Sequence, residues 1–224
     1  MNDERRNKRL RLLITRLNKE RKKQAKQLDI LCNDFIAAQK DFIKSLNTIG
    51  FAADFYEAIA GLTELNELLC TAGNLIKDRI PDANVAFFLL ALSTVEGLAP
   101  SSTEGPQHGN FELHIFESDL AIDLENRRIE NFFTAELVGN IAKSNRICTI
   151  EDMLAMGLAG SPACLEKIST AAIPLSTPAS SLGFVLIYRS SRNQLTSDEL
   201  KAVAQIMPGL GRSIASCRAL VNSI

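Results

Sequence analysis

Apolar residues recur in the first part of the chain at alternating spacings of four and three. From residue 10 to residue 49 the seam runs Leu10, Ile14, Leu17, Arg21, Gln24, Leu28, Leu31, Phe35, Ala38, Phe42, Ser45 and Ile49, and nine of these twelve are apolar. That spacing keeps one stripe of a helix facing a partner, as in a coiled coil. No proline occurs from Asn2 to Ile80. A helix over residues 10–49 would run about 60 Å at 1.5 Å per residue, more than a domain of this size can bury. The seam therefore calls for a partner helix, and a second copy of the chain is the simplest one. Arg21 and Gln24 interrupt adjacent layers. Such polar positions either set register or mark a solvated, fraying first half. The pattern weakens over Asn47–Gly50. It resumes with Leu62, Leu65, Leu69, Ala72, Leu75, Ile76 and Ile80 and stops at Pro81, whose missing N–H and effect on the preceding residue end a helix.

Beyond Pro81 the period changes. Val85–Leu92 is an unbroken apolar run, which predicts a strand covered on both faces. Residues 93–110 are rich in Ser, Gly and Pro and read as a loop. Phe111–Phe116 alternates as a second strand. Residues 119–144 have helical spacing, Arg146–Ile150 reads as a short strand, and a helical turn follows near Glu151–Met156. Ser169–Leu175 and Leu182–Arg189 form a hairpin across a turn-rich STPASS segment. Pro174 falls near the end of its strand, where one lost donor is tolerable. Thr196 and Glu199 predict a capping box at the start of the last helix. That helix carries an apolar seam of Leu200, Val203, Met207, Leu210, Ile214, Cys217, Val221 and Ile224, with Pro208, Gly209 and Gly211 expected to kink or loosen it midway.

Charge divides the chain in the same place as the pattern. Residues 1–26 hold eleven Lys or Arg against Asp3, Glu4 and Glu20, a net +8, while the whole chain is −1. The remainder is therefore −9. The basic cluster invites contact with phosphates, but it lacks the aromatic residues and motifs of nucleic-acid readers and fits a solvated helix face better. Apolar residues make up 46 % of the 224 and charged residues 23 %, the balance of a globular protein. No run of eighteen apolar residues predicts a membrane span, and Leu10–Ile14, broken by Arg11, is too short for an export signal. Five cysteines at 32, 70, 148, 164 and 217 form no CxxC pair. They read as reduced thiols in a cytoplasmic protein. With only His108 and His114 there is little to build a zinc site.

The stretch TAAIPLSTPASSLGFVLIYRSSRNQLTSDELKAVAQI, residues 170–206, resembles the closing hairpin and C-terminal helix entry of the GAF family. The order of helix, strand, long loop, strand, helical middle, hairpin and long helix matches that family over about residues 62–222. The resemblance implies an α/β (α+β) fold: a GAF-like antiparallel sheet flanked by helices, preceded here by the coiled-coil helix. Residues 1–50 would be the basic helix and 51–224 the GAF-like domain. One sheet face would carry the first and last helices, and the other a pocket roofed by the middle segment. Family members often dimerise through those two helices as a parallel bundle, which adds Leu210, Ile214, Cys217 and Val221 to Leu10, Ile14, Leu17, Leu28, Leu31, Phe35 and Phe42 as dimerisation candidates. Members that bind cyclic nucleotides carry Asn-Lys-Phe-Asp-Glu; here Asp198 and Glu199 match, Leu195 stands for the phenylalanine, and the spacing is one residue short.

Candidate ligand-binding positions are His114, Phe116, Phe133, Cys148 and Cys164. His114 lies in a strand and could contact a ligand or a haem iron, though a lone histidine also reads as a structural one. Cys148 and Cys164 sit where loops roof the expected pocket. A branch resembling this fold reduces free methionine sulfoxide with pocket cysteines, but its surrounding Ser-Arg-Ser-Glu pattern is absent here, and thiolate attack needs a low pKa and usually a resolving thiol. Asp119, Asp123, Glu125, Glu130 and Glu136 read as one solvated acidic face. No P-loop, dinucleotide-binding Gly pattern or Ser-His-Asp logic occurs. The expectation is a non-enzymatic sensory or regulatory homodimer that binds a small ligand of unknown identity, with no assigned cofactor, and signals to a separate protein. A structural adaptor without ligand, a basic-arm nucleic-acid binder and a thiol-based reductase are the alternatives.

Overall fold

The computed structural model describes residues 2–91, 111–116, 129–160, 165–177 and 180–221. They fall into two compact units, Met1–Gly50 and Phe51–Ile224.

The described residues of the first unit are all helical, part of α1 (Asn2–Ile59). Leu10, Ile14, Leu17, Leu28, Leu31, Phe35 and Phe42 lie 49–64 % exposed along it. The break expected at Asn47–Gly50 does not occur. One glycine costs a helix only about 1 kcal/mol, and the last turns of α1 are held by Phe55 and Ile59, both buried in the core of the second unit. The helix stops just before Gly61, which takes a positive φ of 81°.

In the second unit α2 (Leu65–Arg79) ends ahead of Pro81, as the spacing predicts. Five strands follow: β1 (Asn84–Leu90), β2 (Phe111–Phe116), β3 (Cys148–Thr149), β4 (Ile168–Ser176) and β5 (Ser181–Ser190). They form one antiparallel sheet in the order β2-β1-β5-β4-β3. Among the described residues three further helices follow: α3 (Ala135–Ser144), α4 (Ile150–Ala155) and α5 (Ser197–Val221), with a 3-10 turn at Ile129–Phe132 ahead of α3. Of the helical pattern expected over 119–144, residues 119–128 lie outside the described residues.

The central strands β1 and β5 are apolar on both faces because both faces are covered. Val85, Phe87, Leu89, Val185 and Ile187 meet α2, α5 and the end of α1. Ala86, Phe88, Phe184, Leu186 and Tyr188 meet α3, α4 and the 3-10 turn. Where β5 begins its run beside β1, Gly183 has a φ of 137°, and a Cβ there would stand 1.8 Å from the Phe88 carbonyl oxygen. Only glycine fits that approach.

The capping box of α5 forms as the sequence predicts. Thr196 N donates to Glu199 Oε2 at 2.7 Å, and Glu199 N donates to Thr196 Oγ1 at 3.3 Å. The helix α5 continues through Pro208 to Val221. The Tyr56 ring lies against Gly209, where a Cβ would come within 2.1 Å of a ring carbon, and its hydroxyl donates to the Gln205 carbonyl at 3.3 Å. This contact braces the turn in which Pro208 removes a backbone donor.

The seam of α5 faces inward. Leu210, Ile214 and Cys217 are buried against α2 and the sheet, so these three expected dimer contacts belong to the domain's own core. An apolar stripe requires a covering surface, and here the sheet supplies it. Val221 remains exposed.

Candidate functional site

The register of β1 and β2 separates the expected ligand residues. Phe87 stands opposite His114 and Val85 opposite Phe116. Opposed residues on antiparallel strands share a face, so His114 and Phe116 lie on the side of α2 and α5. Phe116 packs edge-on to Phe87 at 5.6 Å and covers Gly73 of α2. Phe133 and Cys148 lie on the other, roofed side. The five expected positions therefore do not form one site: two support the helix face, two belong to the roofed core, and Cys164 lies outside the described residues.

On the roofed face three phenylalanines fill the centre. Phe88 and Phe184 stack at 4.7 Å, and Phe133 lies 5.1 Å from Phe88 and 6.1 Å from Phe184. Four residues along β5 from Phe184, about 13 Å at strand rise, the surface turns polar. There the Tyr188 hydroxyl donates to Glu130 Oε1 at 2.8 Å, and both residues are buried. Glu130 is thus not part of a solvated acidic face: it is 1 % exposed, while Glu136 of α3 is exposed as expected. A buried carboxyl needs a hydrogen-bond donor, and Tyr188 is one. Sequence spacing missed the pair because Glu130 sits in a 3-10 turn, where the 3.6-residue period does not apply.

Cys148 is buried in β3. Its Sγ lies 3.2 Å from the Ser144 hydroxyl and donates to the Arg146 carbonyl at 3.5 Å. This is the setting of a packed thiol turned toward its own chain.

His114 is half-buried, with Nε2 4.0 Å from Glu112 Oε2. Burial holds its pKa below the usual histidine value; the nearby Glu112 carboxylate opposes that shift, and the Arg218 guanidinium reinforces it. Arg218, itself buried near the end of α5, donates to the Leu90 carbonyl at 2.6 Å and to Glu112 at 3.2 Å. It ties α5 to β1 and β2. Arg189 makes a second buried node, donating to the Gln194 carbonyl at 2.7 Å and to Glu199 at 2.8 Å.

A groove of about 500 Å³ runs along the edge of β4. β3 pairs only with Ala171 and Ala172, so among the described residues the β4 edge at 168–170 has no neighbouring strand. Leu154, Leu165, Leu195 and Leu200 line the groove with Thr149 and Thr170, and none of the four described ligand candidates does. Among the described residues no group of three or more His, Cys, Asp or Glu side chains is placed to hold a metal ion, and no helix is long and apolar enough to cross a membrane.

No family model matches the sequence, and no curated protein matches it either. Solved structures do match. The GAF domain of a phosphoenolpyruvate-protein phosphotransferase from Coxiella burnetii aligns with a TM-score of 0.51 at 14 % identity, covering 79 % of this chain and 98 % of that one. The chain has a GAF-like fold. A GAF domain/HD domain protein from Geobacter sulfurreducens (TM-score 0.48, 11 % identity, 72 % of this chain and 98 % of that one) and the GAF domain of an Acinetobacter phosphoenolpyruvate-protein phosphotransferase (0.47, 13 %, 78 % and 97 %) are also similar. At these identities the likeness concerns the fold alone. Within this GAF-like domain the roofed face combines a filled aromatic centre with a polar end at Glu130 and Tyr188.

Proposed function

We propose that this chain is a non-enzymatic sensory or regulatory module that dimerises through its N-terminal helix and acts on a separate output protein. The observation that carries this reading is the contrast between the two units. Phe51–Ile224 closes its own core, whereas residues 10–49 keep a long apolar stripe exposed. A stripe of that length is stabilised only by another helix. The burial of Cys148 and its hydrogen bond to its own backbone favour packing over thiol chemistry. The unpaired thiols of Cys32 and Cys70, both exposed, suit a reducing, cytoplasmic setting.

A small ligand bound on the roofed face would signal by favouring one packing of the helices over another. Dimerisation of the first unit would carry that change to the output protein. The second reading, a structural adaptor without ligand, draws on Phe88, Phe133 and Phe184, which occupy the centre of that face themselves. Native mass spectrometry of the purified full chain tests both. A dimer carrying extra small-molecule mass is the expected result. A dimer of bare protein mass selects the adaptor, and a monomer across the working concentration range overturns the dimeric module.

A further inference from the structure

We propose that residues 10–49 pair with a second copy of the chain in antiparallel register, with the two-fold axis between Asp29 and Ile30. The proposal rests on the dimer proposed above and fixes its direction. The seam alternates steps of four and three and is symmetric about that axis, so every seam residue meets another seam residue whichever way the partner runs. The two directions differ in which residues meet.

In a parallel, in-register pair each layer joins a residue to its own copy. Arg21 then faces the partner's Arg21 and Gln24 the partner's Gln24, two consecutive polar layers with like charges opposed. In the antiparallel pair Arg21 faces Ala38. The small methyl leaves room for the arginine stem to lie across the seam while its guanidinium reaches water. Gln24 faces Phe35, Leu28 faces Leu31 and Leu17 faces Phe42, so apolar residues sit on at least one side of each of these layers.

Charge over the whole unit favours the same direction. Residues 1–26 carry +8, whereas residues 27–50 carry −1 from Asp29, Asp34 and Asp41 against Lys40 and Lys44. A parallel pair would lay two +8 segments side by side. In the antiparallel pair residues 10–26, net +6, lie beside residues 33–49, net 0, and the two basic ends are separated. Since the charged side chains from Glu4 to Lys44 are exposed along α1, the repulsion is screened by salt but not abolished. The one like-charged flank created, Glu20 near Asp41, lies among Lys19, Lys23 and Lys40.

Spin labels on the full chain decide the direction. Cys32 is exposed and near the axis, and Thr15 is exposed and far from it. One protein is labelled at Cys32 with Cys70→Ser and Cys164→Ser. A second is labelled through Thr15→Cys with those two changes and Cys32→Ser. The buried thiols of Cys148 and Cys217 are left in place. At 1.5 Å per residue the two copies of residue 15 would be about 44 Å apart along the helix axis in the antiparallel pair, and the two copies of residue 32 about 8 Å. A long separation at Thr15 with a short one at Cys32 is the expected pulsed dipolar result. Short separations at both sites overturn the antiparallel register and leave the dimer standing. No dipolar coupling between copies at either site overturns the dimer and the register together.

Discussion

His114 occupies a position that disfavours its own charge. Partial burial is the main cause, Arg218 adds to it, and Glu112 at 4.0 Å compensates in part. In the unfolded chain the group titrates near its ordinary value of 6.5; in the fold it titrates lower. As pH falls through that window the unfolded state binds the proton first, so stability is complete above about pH 6.5 and declines below it. Glu151, Asp152 and Glu199 also have lowered pKa values, but their windows open below 4.5. The urea midpoint is therefore expected to fall between pH 7.5 and pH 5.5, and His114→Gln should flatten that fall. A variant whose midpoint drops as far as that of the parent would place the titrating group elsewhere. The partners of His114 were not legible in the sequence. Arg218 lies 104 positions away, and the α5 seam gives no sign that an arginine beside Cys217 is buried. Arg189 and Glu130 were hidden for the same reason: a charged residue reads as solvated until the fold supplies its partner.

Among the elements, those with a strong local signal were legible. The two-residue period of Phe111–Phe116 is β2, the turn-rich STPASS segment joins β4 to β5, and Thr196 with Glu199 starts α5. Each signal is complete within a few residues. Continuity was less legible. Gly50 sits inside a helix, because Phe55 and Ile59 hold the following turns through contacts that no local pattern reports. The direction of a seam was not legible either, since Leu210 and Leu28 look alike in sequence, yet one is buried and the other exposed. The capping box offers a graded test. Thr196→Ala removes one cap acceptor and should cost about 1 kcal/mol. Glu199→Ala removes the reciprocal cap and also leaves Arg189, 3 % exposed, without its carboxylate. It should cost more, on the order of 3 kcal/mol. Urea unfolding of the two variants checks the order; equal losses would show that the Arg189–Glu199 contact contributes little beyond the cap.

At the scale of the whole molecule, the GAF-like order of elements was legible because alternation, caps and turns all agreed, while the two faces of the sheet were not. Placing His114 opposite Phe87 requires the β1–β2 register, and 20 residues of sequence between those strands carry no signal for it. The place where the second unit begins follows from burial rather than from pattern. α1 is helical from residue 2 to residue 59, but Phe55 and Ile59 are part of the core that contains α2, α5 and one face of the sheet, whereas the large apolar side chains of residues 10–49 stay exposed. A chain of residues 51–224 retains every buried side chain of that core. It is expected to unfold in urea at the same midpoint as the second unit of the full chain, with no dependence on protein concentration. The full chain should show an additional loss of helix signal whose midpoint rises with concentration, because association stabilises only the assembled helix. A chain of residues 60–224 differs by nine residues but loses Phe55 and Ile59. Removing a buried phenylalanine side chain alone costs about 3–5 kcal/mol, so this shorter chain should be much less stable or fail to fold. If 60–224 matched 51–224 in midpoint, the end of α1 would not belong to the core. If 51–224 were itself destabilised, residues 1–50 would contribute to the folded domain and the two units would not be independent.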